Sequence, residues 1–114
     1  MLVIIEDFAK KCLDEIYYYN ARYSLSKAIG IDSEITGHIQ KLCSIYFLGR
    51  IIPEMSDYRF REILYKKSRH SVYRIMYFIS EKNNIIYIFN IISSKQNFIK
   101  ILKSNNYFNF YYNL

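Results

Sequence analysis

The chain of 114 residues has the length of one domain and carries 16 Lys and Arg against 10 Asp and Glu, a net charge of +6. This basic balance favours an anionic partner such as nucleic acid, a ribosome or an acidic protein, and a merely solvated basic surface is the alternative. The two cysteines have no CxxC or His-spaced partner, which argues against a disulfide framework and a zinc site. The longest uncharged stretch of predicted sheet, Asn83 to Ser94, is shorter than the roughly 20 residues of a membrane span, and no signal peptide is recognisable. We therefore predict a cytoplasmic protein without metal or cofactor.

The first half of the chain predicts one strand and two helices. Leu2 to Ile5 is a β-branched run typical of a short strand. From Phe8 the apolar residues recur every three or four positions, which indicates an amphipathic helix, and a second such stripe follows. The first stripe continues through Cys12, Ile16, Tyr19 and Tyr23, and the second comprises Ala28, Ile31, Ile35, Ile39, Leu42 and Tyr46. The two helices can pack as an antiparallel hairpin.

Glycines and the single proline punctuate the second helix. Gly30 and Gly37 inside it each cost about 1 kcal/mol relative to Ala, so we predict that they mark a close backbone approach. Gly49 is predicted to end the helix, and Pro53 to keep the chain from resuming it.

Beyond Pro53 the pattern changes to strands. Phe60–Lys66, Val72–Ser80 and Ile85–Ile92 are rich in β-branched and aromatic residues and are separated by short polar turns, which favours an antiparallel meander. Lys95–Lys103 then returns to helical spacing. The predicted fold class is α+β: an N-terminal short strand, an antiparallel helical hairpin packed on a twisted antiparallel sheet, and a short C-terminal helix.

The end of the chain is strongly aromatic. "NNYFNFYYNL" contains five aromatic side chains, which either pack over the sheet or helices or form an exposed strip that awaits a partner. We therefore divide the chain into a single domain, residues 1–103, and an aromatic C-terminal tail, residues 104–114.

Arg74 lies in the middle of a predicted strand among apolar neighbours. Strand alternation places it on the same face as Met76, and places Tyr77 on the other face. A half-buried guanidinium needs an anionic partner, and two readings stay open. In the first reading, Arg74 forms an ion pair with Glu62 or Glu54 across the sheet. In the second, it donates hydrogen bonds to two oxygens of a phosphate on a bound ligand.

The same region holds candidate parts of a metal-independent ribonuclease. Such an enzyme needs a base for the 2′-hydroxyl proton, a cation at the scissile phosphate and an acid for the leaving oxygen. Glu54 is the candidate base, Arg61 or Arg74 the cation, and Tyr77 or His70 the acid. The cations predicted to contact a nucleic-acid or protein target are Arg50, Arg59, Lys66, Lys67, Arg69 and Lys95.

The ordered segments "GRIIPEM", "RFREILYKK", "YRIMYFI" and "IIYIFNII" resemble the RelE/ParE superfamily of type II toxin–antitoxin toxins over about residues 3–100. The family pattern reads roughly Gly-Arg-x-x-Pro-Glu, then Arg-Glu, then Tyr-Arg-x-x-Tyr and a final apolar strand. Its positions here are Gly49, Arg50, Pro53, Glu54, Arg61, Glu62, Tyr73, Arg74 and Tyr77. The resemblance implies a cognate antitoxin whose C-terminal segment wraps the toxin, and it leaves open an oligomeric complex of the two. It also implies one of two targets: messenger RNA in the ribosomal A site for RelE-like members, or DNA gyrase for ParE-like members.

The signature Gly-Arg-x-x-Pro-Glu followed by Arg-Glu looks more ParE-like than RelE-like. After the last strand, where family members often carry His, Tyr or Arg, this chain has Ser93, Ser94, Lys95 and Gln96. We therefore predict a ParE-like toxin that inhibits gyrase by binding. The alternatives are a RelE-like ribosome-dependent mRNA endoribonuclease, or an inactivated family member kept as a binding module.

Overall fold

A computed structural model of the chain describes residues 1–100 and Tyr111. The elements are β1 (Leu2–Ile5), α1 (Asp7–Ala21), α2 (Leu25–Lys41), β2 (Arg50–Ile51), β3 (Phe60–Ser68), β4 (Ser71–Ser80) and β5 (Ile85–Ser93). Residues 98–100 are helical, while the predicted helix end at residue 103 and the aromatic tail, Tyr111 excepted, lie outside the described residues. The predicted α+β class is confirmed. Within the described residues, neither helix has the length and apolar content to cross a bilayer.

The five strands form one sheet in the order β1-β5-β4-β3-β2. Strands β3, β4 and β5 make the predicted antiparallel meander. The sheet is mixed, however, because β1 runs parallel to β5, with Leu2 beside Ile85. A parallel pair requires a long connection, and here everything from α1 to β4 lies between the two strands. The two-residue strand β2, which the sequence analysis did not predict, pairs with β3 at its outer edge.

The two helices cover one face of the sheet. The predicted stripe of α2 is confirmed, because its members from Ala28 to Leu42 are all buried. The stripe of α1 is right at Cys12, which is buried, and wrong at Tyr19 and Tyr23, which are exposed. The sheet residues of this core are Ile63, Tyr65, Tyr73, Ile75, Tyr77, Ile79, Ile86, Ile88 and Ile91.

The second helix ends earlier than predicted. Its last residue is Lys41, so Gly49 does not end it. Leu42 completes the buried stripe, and the chain then turns, held at Cys43 by a 2.9 Å hydrogen bond that its carbonyl accepts from the N-terminal ammonium group. The predicted close approach at the two helical glycines is also wrong, because no other group lies within 4 Å of a Cβ built at either position.

The other face of the sheet carries a second, smaller core. Its buried members are Ile52, Phe60, Met76, Phe78, Phe89, Ile92, Phe98 and Tyr111. Phe98 and Tyr111 both follow β5 in the chain, and these two side chains cover part of this face. The polar residues of the candidate site lie at the rim of this second core.

Candidate functional site at the rim of the second sheet face

Four charged side chains form a buried ion network on the second face of the sheet: Arg50, Glu62, Arg74 and Glu54. Arg74 Nε donates a 2.6 Å hydrogen bond to Glu62 Oε1. The two terminal nitrogens of Arg74 grip both oxygens of Glu54, at 2.9 and 2.7 Å. Arg50 Nε donates to the other oxygen of Glu62 at 2.8 Å. Two guanidinium groups and two carboxylates therefore neutralise one another.

Strand register explains why the network forms. Glu62 lies beside Met76 on the neighbouring strand, and Arg74 lies beside Leu64, so the carboxylate and the guanidinium share one face at a diagonal spacing. Glu62 is 0% exposed and Arg74 is 8% exposed. A charge that is buried to this degree costs several kcal/mol unless it is paired, and the network supplies the pairing. Of the two readings left open for Arg74, the structure supports the pairing with carboxylates.

The network also shifts the pKa of Glu54 and the pKa of Arg74. Hydrogen bonds from Arg74 hold the pKa of Glu54 below its ordinary value of 4.5. Burial alone lowers the pKa of Arg74, but the hydrogen bonds to Glu54 and Glu62 together outweigh it, and the pKa is raised. A general base works best with a pKa near the operating pH. Glu54 is moved away from that range.

Tyr77 lies on the opposite face of the sheet from the network and is fully buried. Its hydroxyl accepts a 2.9 Å hydrogen bond from the Gly49 N–H and donates one of 2.9 Å to the Tyr46 carbonyl. Burial raises the pKa of this hydroxyl. The predicted acid therefore anchors the connection between α2 and β2, and its proton is held by a backbone carbonyl.

Gly49 makes the close backbone approach that we had assigned to other glycines. A Cβ at this position would lie 2.5 Å from the Glu62 carbonyl oxygen and 2.8 Å from the Tyr77 hydroxyl. The residue thus sits between the ion network and the helix-side core. Gly49 directly precedes Arg50, and this Gly-Arg pair opens the family pattern quoted above. That pattern is the sequence signal that could have pointed to a close approach at Gly49.

Arg61 holds the same connection from outside. Its Nη1 donates a 2.9 Å hydrogen bond to the Gly49 carbonyl, its Nε donates one to the Tyr58 carbonyl at 2.9 Å, and its guanidinium lies 4.6 Å from the Phe47 ring centre. Of the four predicted catalytic residues, the structure brings Glu54 and Arg74 together. Arg61 and Tyr77 meet at Gly49.

A shallow cavity of about 450 Å³ opens over the network. Its lining residues are Arg50, Pro53, Glu54, Leu64, Val72, Arg74 and Ser94. The ring centre of Phe98 lies 5.4 Å from the Arg74 guanidinium. Within residues 1–100 and at Tyr111, no group of three or more His, Cys, Asp or Glu is arranged to hold a metal ion. The charged side chains that line the cavity, Arg50, Glu54 and Arg74, are already engaged in the ion network.

The other predicted target-binding cations lie apart from this cavity. Arg59 pairs with Asp57 through a 2.9 Å contact and lowers the pKa of that carboxyl by hydrogen bonding. Lys66 and Arg69 are exposed near the β3–β4 turn. Lys67 contacts Asn20 of α1 at 3.4 Å. Lys95 lines a separate groove together with His70, the second candidate acid.

Comparison with known proteins was consistent with this architecture. A sequence model of the family described as "ParE toxin of type II toxin-antitoxin system, parDE" matches residues 3–98. No curated protein matches the chain. Among solved structures, a chain of the "Chromosomal ParDE TA system from P. aeruginosa" is similar with a TM-score of 0.64 and 18% identity, over 82% of this chain and 95% of that chain. At this identity the structural likeness establishes the fold alone.

Proposed function

Since the chain belongs to the ParE toxin family of type II toxin–antitoxin systems, we propose that it is a cytoplasmic toxin that inhibits DNA gyrase by binding and is neutralised by a cognate antitoxin. The observation that carries the proposal is the state of the candidate catalytic groups. Glu54 and Arg74 neutralise each other, and the Tyr77 hydroxyl is engaged by two backbone groups. A toxin that acts by binding needs no free base, cation and acid at this place.

The proposal is tested by comparing two activities of one purified sample. We expect the protein to inhibit supercoiling of relaxed plasmid by gyrase, and to leave messenger RNA on programmed ribosomes intact. Cleavage of codons without an effect on supercoiling would assign the protein to the RelE-like alternative. Unimpaired growth on expression, with neither activity, would instead favour the inactivated binding module.

A second surface supports the proposal of an antitoxin partner. Among the described residues, the outer edge of β3 pairs only with the two-residue strand β2, so its backbone groups beyond Ile63 have no strand partner. A groove of about 620 Å³ lies beside this edge, and Ile45, Leu48 and Leu64 are exposed along it. An unpaired edge next to apolar residues suits an extended peptide that adds a strand and inserts side chains. We propose that the antitoxin's C-terminal segment binds at this edge.

Copurification tests this binding site with a matched pair of variants. Leu64→Glu should abolish capture of the antitoxin encoded by the neighbouring gene, because a carboxylate enters the apolar groove. Ile29→Glu, at a comparably exposed residue of α2 (54% against 43% for Leu64), should leave capture intact. Equal capture by both variants would refute this binding site, while leaving the gyrase proposal untouched.

A further inference from the structure

The cations of residues 1–100 fall into two groups according to whether a carboxylate pairs with them. The arginines of the buried ion network and Arg59 are all paired with Asp or Glu. At the end of the molecule where the α1–α2 loop meets the β3–β4 turn, Arg22, Lys27 and Lys67 take part in none of the ion pairs formed by residues 1–100. We call this region the hairpin end. Its positive charge is available to a ligand.

Lys67, at the end of β3, and Lys27, in the first turn of α2, are neighbours at the hairpin end. Lys67 Nζ lies 3.4 Å from the Oδ1 atom of the buried residue Asn20, which ties the end of β3 to the end of α1. Burial, and then the neighbouring ammonium group of Lys27, lower the pKa of Lys67. Neighbouring like charges repel each other, and an anion between them relieves the repulsion. The pair is therefore arranged to receive a phosphate or a carboxylate.

Exposed aromatic rings lie on the same end of the hairpin. Tyr19 and Tyr23 are 55% and 74% exposed, and their ring centres are 5.8 Å apart. The Arg22 guanidinium lies 4.9 Å from the first ring centre and 5.9 Å from the second. A guanidinium over an aromatic face is attracted to it, and both rings remain more than half exposed. Bases of single-stranded nucleic acid stack on such platforms without regard to sequence.

A groove continues from Tyr19 toward the ends of β4 and β5. Its volume is about 640 Å³, which lies within the range of ligand clefts, and Tyr73 forms a second aromatic wall. The polar and charged residues that line it are Glu15, His70, Ser71, Ser93, Lys95 and Gln96. Glu15 is its only carboxylate among the described lining residues.

We propose that the hairpin end binds single-stranded nucleic acid, with phosphates at Lys27 and Lys67 and bases stacked on Tyr19 and Tyr23. An acidic peptide would satisfy the lysines but would leave the tyrosine rings uncovered, which favours the nucleic acid. The site shares no lining residue with the cavity over the ion network or with the groove beside β3, although Lys67 itself lies near the end of β3. It stands whether or not gyrase is the target.

Fluorescence anisotropy of the purified full chain with labelled oligo-dT and oligo-rU tests the charge component. We expect binding whose association constant falls with salt. A plot of its logarithm against the logarithm of salt concentration should have a slope of about −0.7 for each phosphate contacted. Lys67→Ala and Lys27→Ala should each weaken binding by about fivefold to tenfold at low salt. Each should also make the slope shallower by about 0.7, which corresponds to one lost phosphate contact. The control Lys82→Ala removes one exposed lysine in the β4–β5 turn, at the far end of β4, and should leave both quantities unchanged.

A second pair of variants tests the stacking component. Tyr23→Ala should weaken binding by about five- to 100-fold, whereas Tyr58→Ala, which removes a tyrosine that is 51% exposed elsewhere, should not. The proposal would be overturned if the protein bound neither oligo-dT nor oligo-rU at low salt. It would equally be overturned if Tyr23→Ala bound normally while polyglutamate of the same length competed as well as the oligonucleotide, because the partner would then be an acidic polypeptide. Circular dichroism of each variant verifies that the fold is retained.

Discussion

Replacement of Glu62 by Gln tests the role of the buried ion network most directly. The substitution keeps the shape of the side chain and removes the fully buried carboxylate of the network, which Arg50 and Arg74 share. Arg74 then stays buried with only the partly exposed Glu54 as its anionic partner. We expect the variant to fold and to be clearly less stable.

The size of the loss follows from the surroundings of each partner. Removal of one member of a buried ion pair costs about 3–5 kcal/mol. The lower end applies here, because Arg74 keeps both hydrogen bonds to Glu54 and because the Arg50 side chain, 55% exposed, can be solvated again. At about 2.1 cal/mol/K of unfolding entropy per residue, a loss of about 3 kcal/mol lowers the Tm by about 12 °C.

Urea and thermal unfolding followed by circular dichroism measure this loss. The matched control is Glu54→Gln, which removes the other carboxylate of the network, whose side chain is 23% exposed. Because water can replace part of its role, we expect a loss of only about 1 kcal/mol. If the two variants lost equal stability, or if Glu62→Gln lost less than about 1 kcal/mol, the argument from burial would be refuted.

Three further variants test neighbouring features of the site. Gly49→Ala should destabilise by about 2–3 kcal/mol, because its Cβ meets the Glu62 carbonyl, whereas Gly37→Ala should stabilise by about 1 kcal/mol; urea midpoints distinguish the two signs. Tyr77→Phe leaves a buried N–H and a carbonyl without their partner and should cost about 2 kcal/mol in the same assay. Because the pKa of Glu54 is lowered in the folded chain, its contribution is complete above its ordinary pKa of 4.5 and is lost as the pH falls below that value. Glu54→Gln should therefore lose less stability than the parent chain between about pH 6 and pH 3, and equal losses would contradict this assignment.

The elements with a long, regular hydrophobic period could be predicted from the sequence. The stripe of α2 and the three strands of the meander are of this kind. Strand β2 could not be predicted, because two residues carry no period. The parallel pairing of β1 with β5 depends on long-range contacts, which alternation along a strand does not reveal. The end of α2 was missed because apolar spacing continues through Tyr46, although the backbone has already turned.

The sequence allowed us to predict several residues of the site, but not which of them bond to one another. Alternation along β4 predicted the face on which Arg74 lies, but its bonding to both Glu54 and Glu62 depends on strand register. The participation of Arg50 depends on β2, which was itself missed. At the hairpin end, Tyr19 continued an apolar stripe and was therefore assigned to the core. Tyrosine is amphipathic, and periodicity alone does not distinguish its exposed from its buried use.

The parallel pair of β1 and β5 has a consequence for the order of folding. The first strand of the chain finds its neighbour about eighty residues later, and that neighbour lies between β1 and β4 inside the sheet. A nascent chain can form its helices early, yet its first strand stays unpaired until β5 has left the ribosome. A product that terminates before residue 85 lacks an interior strand and exposes the apolar side of α1, which makes it a substrate for proteases.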